Sequence, residues 1–368
     1  MKVIDVTEFY SERGGGVRSY LESKQHILCQ LGHDSLLVVP GPVARSTPSV
    51  RRVGGPSMPY DPTYHFLWRP DKIRTLVAEE RPDVLELHSP YVAAVGGLIC
   101  ERQSFGIRTF FWHSDFIDTY KRVLGAMSPR MMPVLEGTAV TLWAWVRHIA
   151  HSCVATFCAS EWQKRKLSKH GVTATRIPFG VDKDVFRLRD EPRRADGSFV
   201  AVGRLAVEKR WDVVIDAFVR VAQRHPRAAL TIFGDGPERE RLERRAAGAR
   251  VTFEGFERDK QRLADALARA DALVHGCPHE TFGIAVAEAI ACGTPVIVPN
   301  EGGAAELARE AHAELYASGD VNACAAAMER LLARDPQALR RGTTEASRSI
   351  LSVREHFDRL LEQYRALR

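Results

Sequence analysis

The stretch "SFVAVGRLAVEKRWDVVIDAFVRVAQRHPRAALTIFG" occupies residues 198–234 and reads as strand, helix, strand. "SFVAVGRL" (198–205) is an apolar run that ends in Gly203 and Arg204. "RWDVVIDAFVRVAQRHP" (210–226) follows as a helix that stops at a proline, and "AALTIFG" (228–234) returns to strand. The same alternation runs on through "PERERLERRAAG", "RVTFEG", "DKQRLADALARA" and "ALVHG". Strands alternating with helices predict a parallel sheet covered by helices on both faces.

Working back towards the N-terminus, the rhythm occurs a first time. "KVIDV" (2–6) is a strand, and "GGVRSYLESKQHILCQLG" (15–32) is a helix closed by Gly32. "DSLLVVP" is a strand, "DKIRTLVAEERP" a helix, and "DVLELH" and "RTFFWH" are strands. The chain therefore reads as two α/β units, with the seam in "RIPFGVDKDVFRLRDEPRRADG" (176–197), rich in Pro, Gly and charge. A length of 368 residues agrees with two domains. Ligands of such sheets sit at the carboxyl ends of the strands, so two facing units predict a ligand in the cleft between them.

Composition narrows the function. Hydrophobic residues make up 45% and charged residues 27%, as in a soluble globular protein. The net charge of +6 is spread along the chain, which suits either a solvated surface or attraction to anions. Basic residues do not cluster with aromatics, so nucleic acid is not the expected partner. The seven cysteines are odd in number and include no CxxC pair, so neither a disulfide framework nor a zinc site is indicated and a cytoplasmic setting is expected. Asp5 and Glu8 stand where a signal peptide needs an apolar run, and no uncharged stretch is long enough to span a membrane. The segment 120–151 mixes Met, Trp, Lys and Arg. It reads as a packed helix pair, or as a surface for peripheral contact at the inner membrane face or for an apolar acceptor.

Several groups carry candidate chemistry. "ERGGGVRSY" (12–20) sets glycines between a strand and a helix, where backbone N–H groups can approach an anion; it is neither a Walker loop nor a dinucleotide fingerprint. Arg204 and Lys209 follow a strand end, where they read equally as surface cations or as a diphosphate clamp. "HETFGIAVAEAIACGTPVIVPNEGG" (279–303) predicts a helix over 282–292, N-capped by Thr281 and closed by Gly293. Free N–H groups at Phe282, Gly283 and Ile284 would favour an anion. Glu288 lies inside that apolar helix and needs a partner, either ligand hydroxyls or a buried Arg. Glu280 lies in the loop before it. A two-carboxylate hydrolase is disfavoured, because both carboxylates come from one short segment. His113, at the end of a strand, is either a donor to substrate or a satisfied loop residue.

Together, "VAVGRLAVEKRWDVVIDAF", "IFGDGPERERL", "VTFEGF" and the stretch from "ARADALVHGCPHETFG" to "NEGGAAEL" resemble the family 4 (group 1) retaining glycosyltransferases of the GT-B fold. Glu280 and Glu288 match the family's pair of glutamates separated by seven residues. The resemblance implies two Rossmann-like domains, 1–178 on the acceptor side and 179–352 for the nucleotide sugar, with a helix at 353–368 crossing back. It implies transfer of a hexose from a GDP-mannose or UDP-glucose type of donor to a lipid, glycan or small-molecule hydroxyl, with retention and without a metal or other cofactor. Arg204 and Lys209 would bind the diphosphate, with Gly15 and Gly16 approaching it. Glu288 would accept the ribose hydroxyls, with Ile284 beside the nucleotide. Glu280, Phe282, Gly283 and His113 would contact the donor sugar, and Arg18 would face the acceptor. Departures include Arg210, where the family has Gly after the Lys, and Phe179, where Asn is common. A sugar-nucleotide epimerase or hydrolase on the same fold, or a binding module without turnover, is the alternative.

Overall fold

A computed structural model describes residues 1–10, 15–58, 61–117, 119, 121, 130, 132–189 and 197–368. The chain forms two compact units. One comprises Met1–Ala159, Gln163–Pro178 and Arg354–Arg368, the other Ser160–Trp162 and Phe179–Val353.

In the first unit the strands are β1 (Lys2–Val6), β2 (Asp34–Pro40), β3 (Val50–Val53), a small hairpin of β4 (Ser57–Met58) and β5 (Asp61–His65), β6 (Val84–Leu87), β7 (Ile107–Trp112), β8 (Ala155–Cys158) and β9 (Thr175–Arg176). All but the hairpin form one seven-stranded sheet in the order β3-β2-β1-β6-β7-β8-β9, every pair parallel. The helices include α1 (Gly16–Gln30), α2 (Pro70–Glu80), α3 (Val92–Leu98), α4 (Met132–His151) and α5 (Glu161–Lys169). Gly32, at φ 73, ends α1 in the left-handed conformation that its sequence position predicts. Helix α4 buries Trp143, Val146, Ile149 and Ala150, while Val134 and Val140 in its first half stand 65% and 71% exposed. The rest of the helix pair expected over 120–151 falls on residues 120, 122–129 and 131, outside the described residues.

In the second unit β10 (Ser198–Val202), β11 (Ala229–Phe233), β12 (Val251–Gly255), β13 (Ala272–Val274), β14 (Val296–Pro299) and β15 (Ala313–Tyr316) form a parallel sheet in the order β12-β11-β10-β13-β14-β15. Around it lie α6 (Trp211–Arg224), α7 (Arg239–Arg245), α8 (Lys260–Arg269), α9 (Ile284–Ala291), α10 (Val321–Leu332) and α11 (Pro336–Ser349). The periodic face of α6 buries Val214, Ala217, Phe218 and Val221 against the sheet core. Each sheet reverses its direction of growth once, between β1 and β6 and between β10 and β13. At such a switch point the loops leaving adjacent strands diverge and open a crevice at the carboxyl ends.

The final helix, α12 (Val353–Leu367), belongs to the first unit from Arg354 onward. It delivers Tyr364 to a buried cluster. The Lys24 ammonium on α1 is fully buried and lies 2.5 Å from Asp5 Oδ1, 2.6 Å from Glu86 Oε2 and 2.8 Å from the Tyr364 hydroxyl. The Tyr364 hydroxyl also donates to Glu86 Oε2 at 2.7 Å, and Thr109 Oγ1 donates to Glu86 Oε1 at 3.0 Å. Burial favours an uncharged lysine, but the two carboxylates outweigh it and hold the Lys24 pKa above its ordinary value. Lys24→Met should therefore leave two carboxylates buried without their cation and destabilise the fold by about 3–5 kcal/mol. Tyr364→Phe should lose only about 1 kcal/mol. Chemical denaturation of the two variants checks that order.

Candidate active site

In the second unit the candidate residues converge on the carboxyl ends of β10 and β13. After β10 the chain turns at Gly203 (φ 151), and a Cβ at Gly234 would come within 1.9 Å of the Gly203 carbonyl oxygen. Two strand ends thus pass at a separation only glycine permits. Arg204 is exposed at this turn, and its carbonyl accepts from Trp211 Nε1 at 2.8 Å. A short 3-10 turn (Val207–Lys209) then aims Lys209 back at the loop after β13, where Nζ lies 2.6 Å from Glu280 Oε2. Gly276 makes this approach feasible: a Cβ there would meet the Lys209 and Arg210 carbonyl oxygens at 2.6 and 2.8 Å.

Burial alone would raise the Glu280 carboxyl, but Lys209 holds it at about 2, and Glu280 in turn raises Lys209 above the usual lysine range. His275 is buried, with Nε2 3.6 Å from Glu280 Oε2; burial keeps its pKa at about 4 despite that neighbour, so the ring is neutral. Arg210 takes the left-handed conformation (φ 52), which favours glycine, and its guanidinium bonds Asp212 at 3.2 and 3.3 Å.

Helix α9 corrects the expected boundaries. It runs Ile284–Ala291, and the cap position is Gly283 at φ 94, not Thr281. The reason lies in the following loop. The Gly303 N–H donates to the Glu280 carbonyl at 2.6 Å, and a Cβ on Gly303 would meet the Thr281 carbonyl oxygen at 2.3 Å. Backbone packed this closely holds residues 280–282 out of the helix, and the chain enters it through a left-handed glycine. Gly293 (φ 79) closes the helix as expected. Phe282 is buried edge-on against Phe179 at 5.5 Å, and Ile284 is 39% exposed at the first turn. Glu288 is half-buried, and its carboxyl accepts no hydrogen bond from the described residues. Burial pushes its pKa up to about 8, with Lys260 opposing. Among the described residues, no buried Arg supplies the partner that the sequence demands.

In the first unit, His113 follows β7. It is 7% exposed and stacked on Phe111 (centroids 4.5 Å, 18° between planes), with the Tyr20 ring edge-on at 4.7 Å. Its Nε2 lies 2.7 Å from His88 Nδ1. Burial, then the charges of His88, Lys24 and His356, hold its pKa well below the usual histidine range. Gly15, at φ 135, precedes α1 in a conformation that requires glycine; Gly16 is the first helical residue, where a Cβ would meet nothing. Residues 11–14 of the glycine loop lie outside the described residues. Arg18 bonds Glu22 at 2.8 Å and lies 4.9 Å over the Tyr10 ring. Asp5, Glu86 and His88 are functional candidates that only the structure brings together. Their signal is charge or imidazole within otherwise apolar strands, "KVIDV" and "DVLELH".

Two groups among the described residues have metal-ligand spacing: His275, Cys277 and Glu280, and Asp5, Glu86 and His88. In each, a lysine ammonium pairs with a carboxylate of the group, Lys209 with Glu280 in the first and Lys24 with Asp5 and Glu86 in the second.

Two parallel sheets with this strand order, each gathering polar groups at its switch point, define a GT-B architecture. Over its full length the chain superposes on sucrose-phosphate synthase from Thermosynechococcus elongatus (TM-score 0.78, 21% identity, 99% of that chain). It superposes equally completely on HepE from Anabaena in complex with UDP-glucose (TM-score 0.72, 17% identity, 100% of that chain). Residues 14–185 match the model of Glycosyltransferase Family 4, and residues 187–349 that of Glycosyl transferases group 1. A GDP-mannose-dependent α-(1-6)-phosphatidylinositol dimannoside mannosyltransferase of Mycobacterium tuberculosis is 31% identical over 83% of this chain and 81% of its own length. A GDP-mannose-dependent α-mannosyltransferase of Mycolicibacterium smegmatis is 31% identical over 96% of this chain and 93% of its own. The chain belongs to the group 1, family 4 glycosyltransferases.

The Glu288 environment has a measurable cost. In the unfolded chain this carboxyl ionises near its ordinary value, whereas the fold favours its neutral form up to about pH 8. Its contribution therefore turns increasingly unfavourable as pH rises from about 4.5 to about 8. Glu288→Gln should stabilise the ligand-free protein by on the order of 1 kcal/mol at pH 8 and by little at pH 4.5. Melting temperatures at the two pH values check this.

Proposed function

We propose that the chain transfers mannose from GDP-mannose to a glycolipid hydroxyl, with retention of anomeric configuration and without a metal. The observation that carries the site assignment is the Lys209–Glu280 pair, with exposed Arg204 on the same strand-end loop as Lys209 and, at the start of α9, a Glu288 that has no hydrogen-bond partner among the described residues. The choice of donor and acceptor class rests on the activities named for the two mycobacterial relatives.

On this reading Arg204 and Lys209 hold the diphosphate and offset the charge that develops as the glycosidic bond breaks. The first-turn N–H groups of α9, around Gly283 and Ile284, face the phosphates. Glu280, kept ionised by Lys209, accepts hydrogen bonds from sugar hydroxyls, and Phe282 and Gly283 supply neighbouring backbone N–H groups. Glu288 accepts the ribose hydroxyls. Gly15, Gly16 and His113 keep the phosphate and donor-sugar roles expected from the sequence, and Arg18 the acceptor role. The departing diphosphate takes the acceptor proton on the face it leaves, so no protein base is assigned. The exposed Val134 and Val140 of α4 suit peripheral contact with an anionic lipid surface; Val140 lines an open cavity of about 500 Å³ with Arg147, Lys169 and the Lys121–Glu136 pair.

Nucleotide release from GDP-mannose and UDP-glucose, followed with and without lipid acceptors, tests the assignment. Acceptor-dependent release is the expected result. Acceptor-independent release with an altered sugar would mean an epimerase or hydrolase, and binding without release a module. Arg204→Ala and Lys209→Ala should each slow turnover about 10²-fold or more, measured at saturating donor. Glu288→Gln should weaken GDP binding by about 1–3 kcal/mol. Because ribose hydroxyls favour the ionised carboxylate, calorimetry at pH 7 in buffers of different ionisation enthalpy should detect proton release on binding to the wild type, and less in the variant.

A further inference from the structure

The buried polar chain behind His113 contains groups to which the reaction assigns no part. His88 Nε2 lies 2.8 Å from Asp5 Oδ1 and 3.5 Å from Glu86 Oε2. A carboxylate only accepts, so the hydrogen of a neutral His88 ring sits on Nε2. Its Nδ1 is then an acceptor, and the atom 2.7 Å away is His113 Nε2, which must donate. In a neutral His113 the remaining nitrogen, Nδ1, carries a lone pair. Each hydrogen bond thus dictates the next, from Asp5 through His88 to the outer face of His113.

The surroundings leave the chain little freedom. Asp5, Glu86 and His88 are all buried. Lys24, 2.5 Å from Asp5, keeps that carboxyl ionised against the opposing effect of burial. Phe111 stacks on His113 and lies nearly parallel to His88 at 6.3 Å, while Tyr20 presses on the edge of His113. Tyr20 is itself within 3.2 Å of His356 Nε2, whose Nδ1 is 2.8 Å from the Pro178 carbonyl. The ring planes are set by packing and the hydrogen positions by Asp5.

We infer that Asp5 and His88 are positioning residues that lock His113 in its Nε2–H tautomer, so that Nδ1 acts as a hydrogen-bond acceptor for a donor-sugar hydroxyl. The inference rests on the donor-sugar role proposed above for His113. The conformation needed at the sugar is then built before substrate arrives, so the ordering cost is met in folding and not in binding.

Nitrogen-15 NMR of histidine-labelled protein reads the tautomer in the wild type itself. His113, assigned by its loss in His113→Ala, should show a pyrrole-type Nε2 and a pyridine-type Nδ1. A pyrrole-type Nδ1, or averaging between tautomers, overturns the inference. Kinetics test its consequence. His88→Phe keeps a ring beside Phe111 but cannot relay a hydrogen bond, and should lower kcat about tenfold or more with a smaller change in donor KM. His88→Gln, which can donate to Asp5 and accept from His113, should recover part of the loss. If His113→Ala impairs turnover and His88→Phe leaves kcat within about twofold of wild type, the positioning role is wrong although the role of His113 stands. If His113→Ala itself turns over normally, the donor-sugar role fails instead, whatever tautomer the spectra report.

Discussion

The first unit depends on a lysine that has left water. Lys24 lies between Asp5 of β1 and Glu86 of β6, the two strands that flank the switch point of the sheet. An ammonium there costs much to desolvate, and each carboxylate beside it would cost as much alone. The three are tolerable only as a set, completed by hydroxyls from Tyr364 and Thr109. A central strand pair, the helix that follows the glycine loop and the returning final helix are thereby tied to one point. An apolar core could supply comparable stability. What the charges add is a fixed acceptor, Asp5, whose second partner is His88.

The second unit solves the same problem differently. Its pair, Lys209 and Glu280, sits partly open at the strand ends, with side chains 24% and 19% exposed. Glycines where backbone crosses backbone, Gly203, Gly234 and Gly276, make the approach feasible. The partly open pair leaves both charges addressable by a ligand. Glu288 is the complement, a carboxyl half removed from water with no hydrogen-bond partner among the described residues. Charge is thus prepared in advance at one point, and a need for a polar partner is left unmet at another.

Much of this was legible because strand and helix periods differ so clearly in "SFVAVGRL" and "RWDVVIDAFVRVAQRHP". The strands from β1 to β13 that were read fall where the apolar runs place them. Short strands β8 and β9 were not separated from their surroundings, since four residues or fewer carry little periodicity. The Thr281 cap was misread for a physical reason. A threonine before an apolar helix satisfies the local rule, but the rule does not see Gly302 and Gly303, which fold back from beyond β14 onto the same backbone. The lysine cluster was illegible from any one segment. Lys24 in "SYLESKQHILCQLG" looks like one more solvated cation, and only the acidic residues inside two buried strands hint that something must answer them.

Tyr364 reaches Lys24 across 340 residues of sequence. A chain made from its N-terminus therefore lacks one ligand of this buried cation until the whole of the second unit has been synthesised. Domains made first are commonly the first to finish. The second unit can complete its core while the first still awaits its last helix, and during that interval the first unit is the part of the nascent chain with most need of protection.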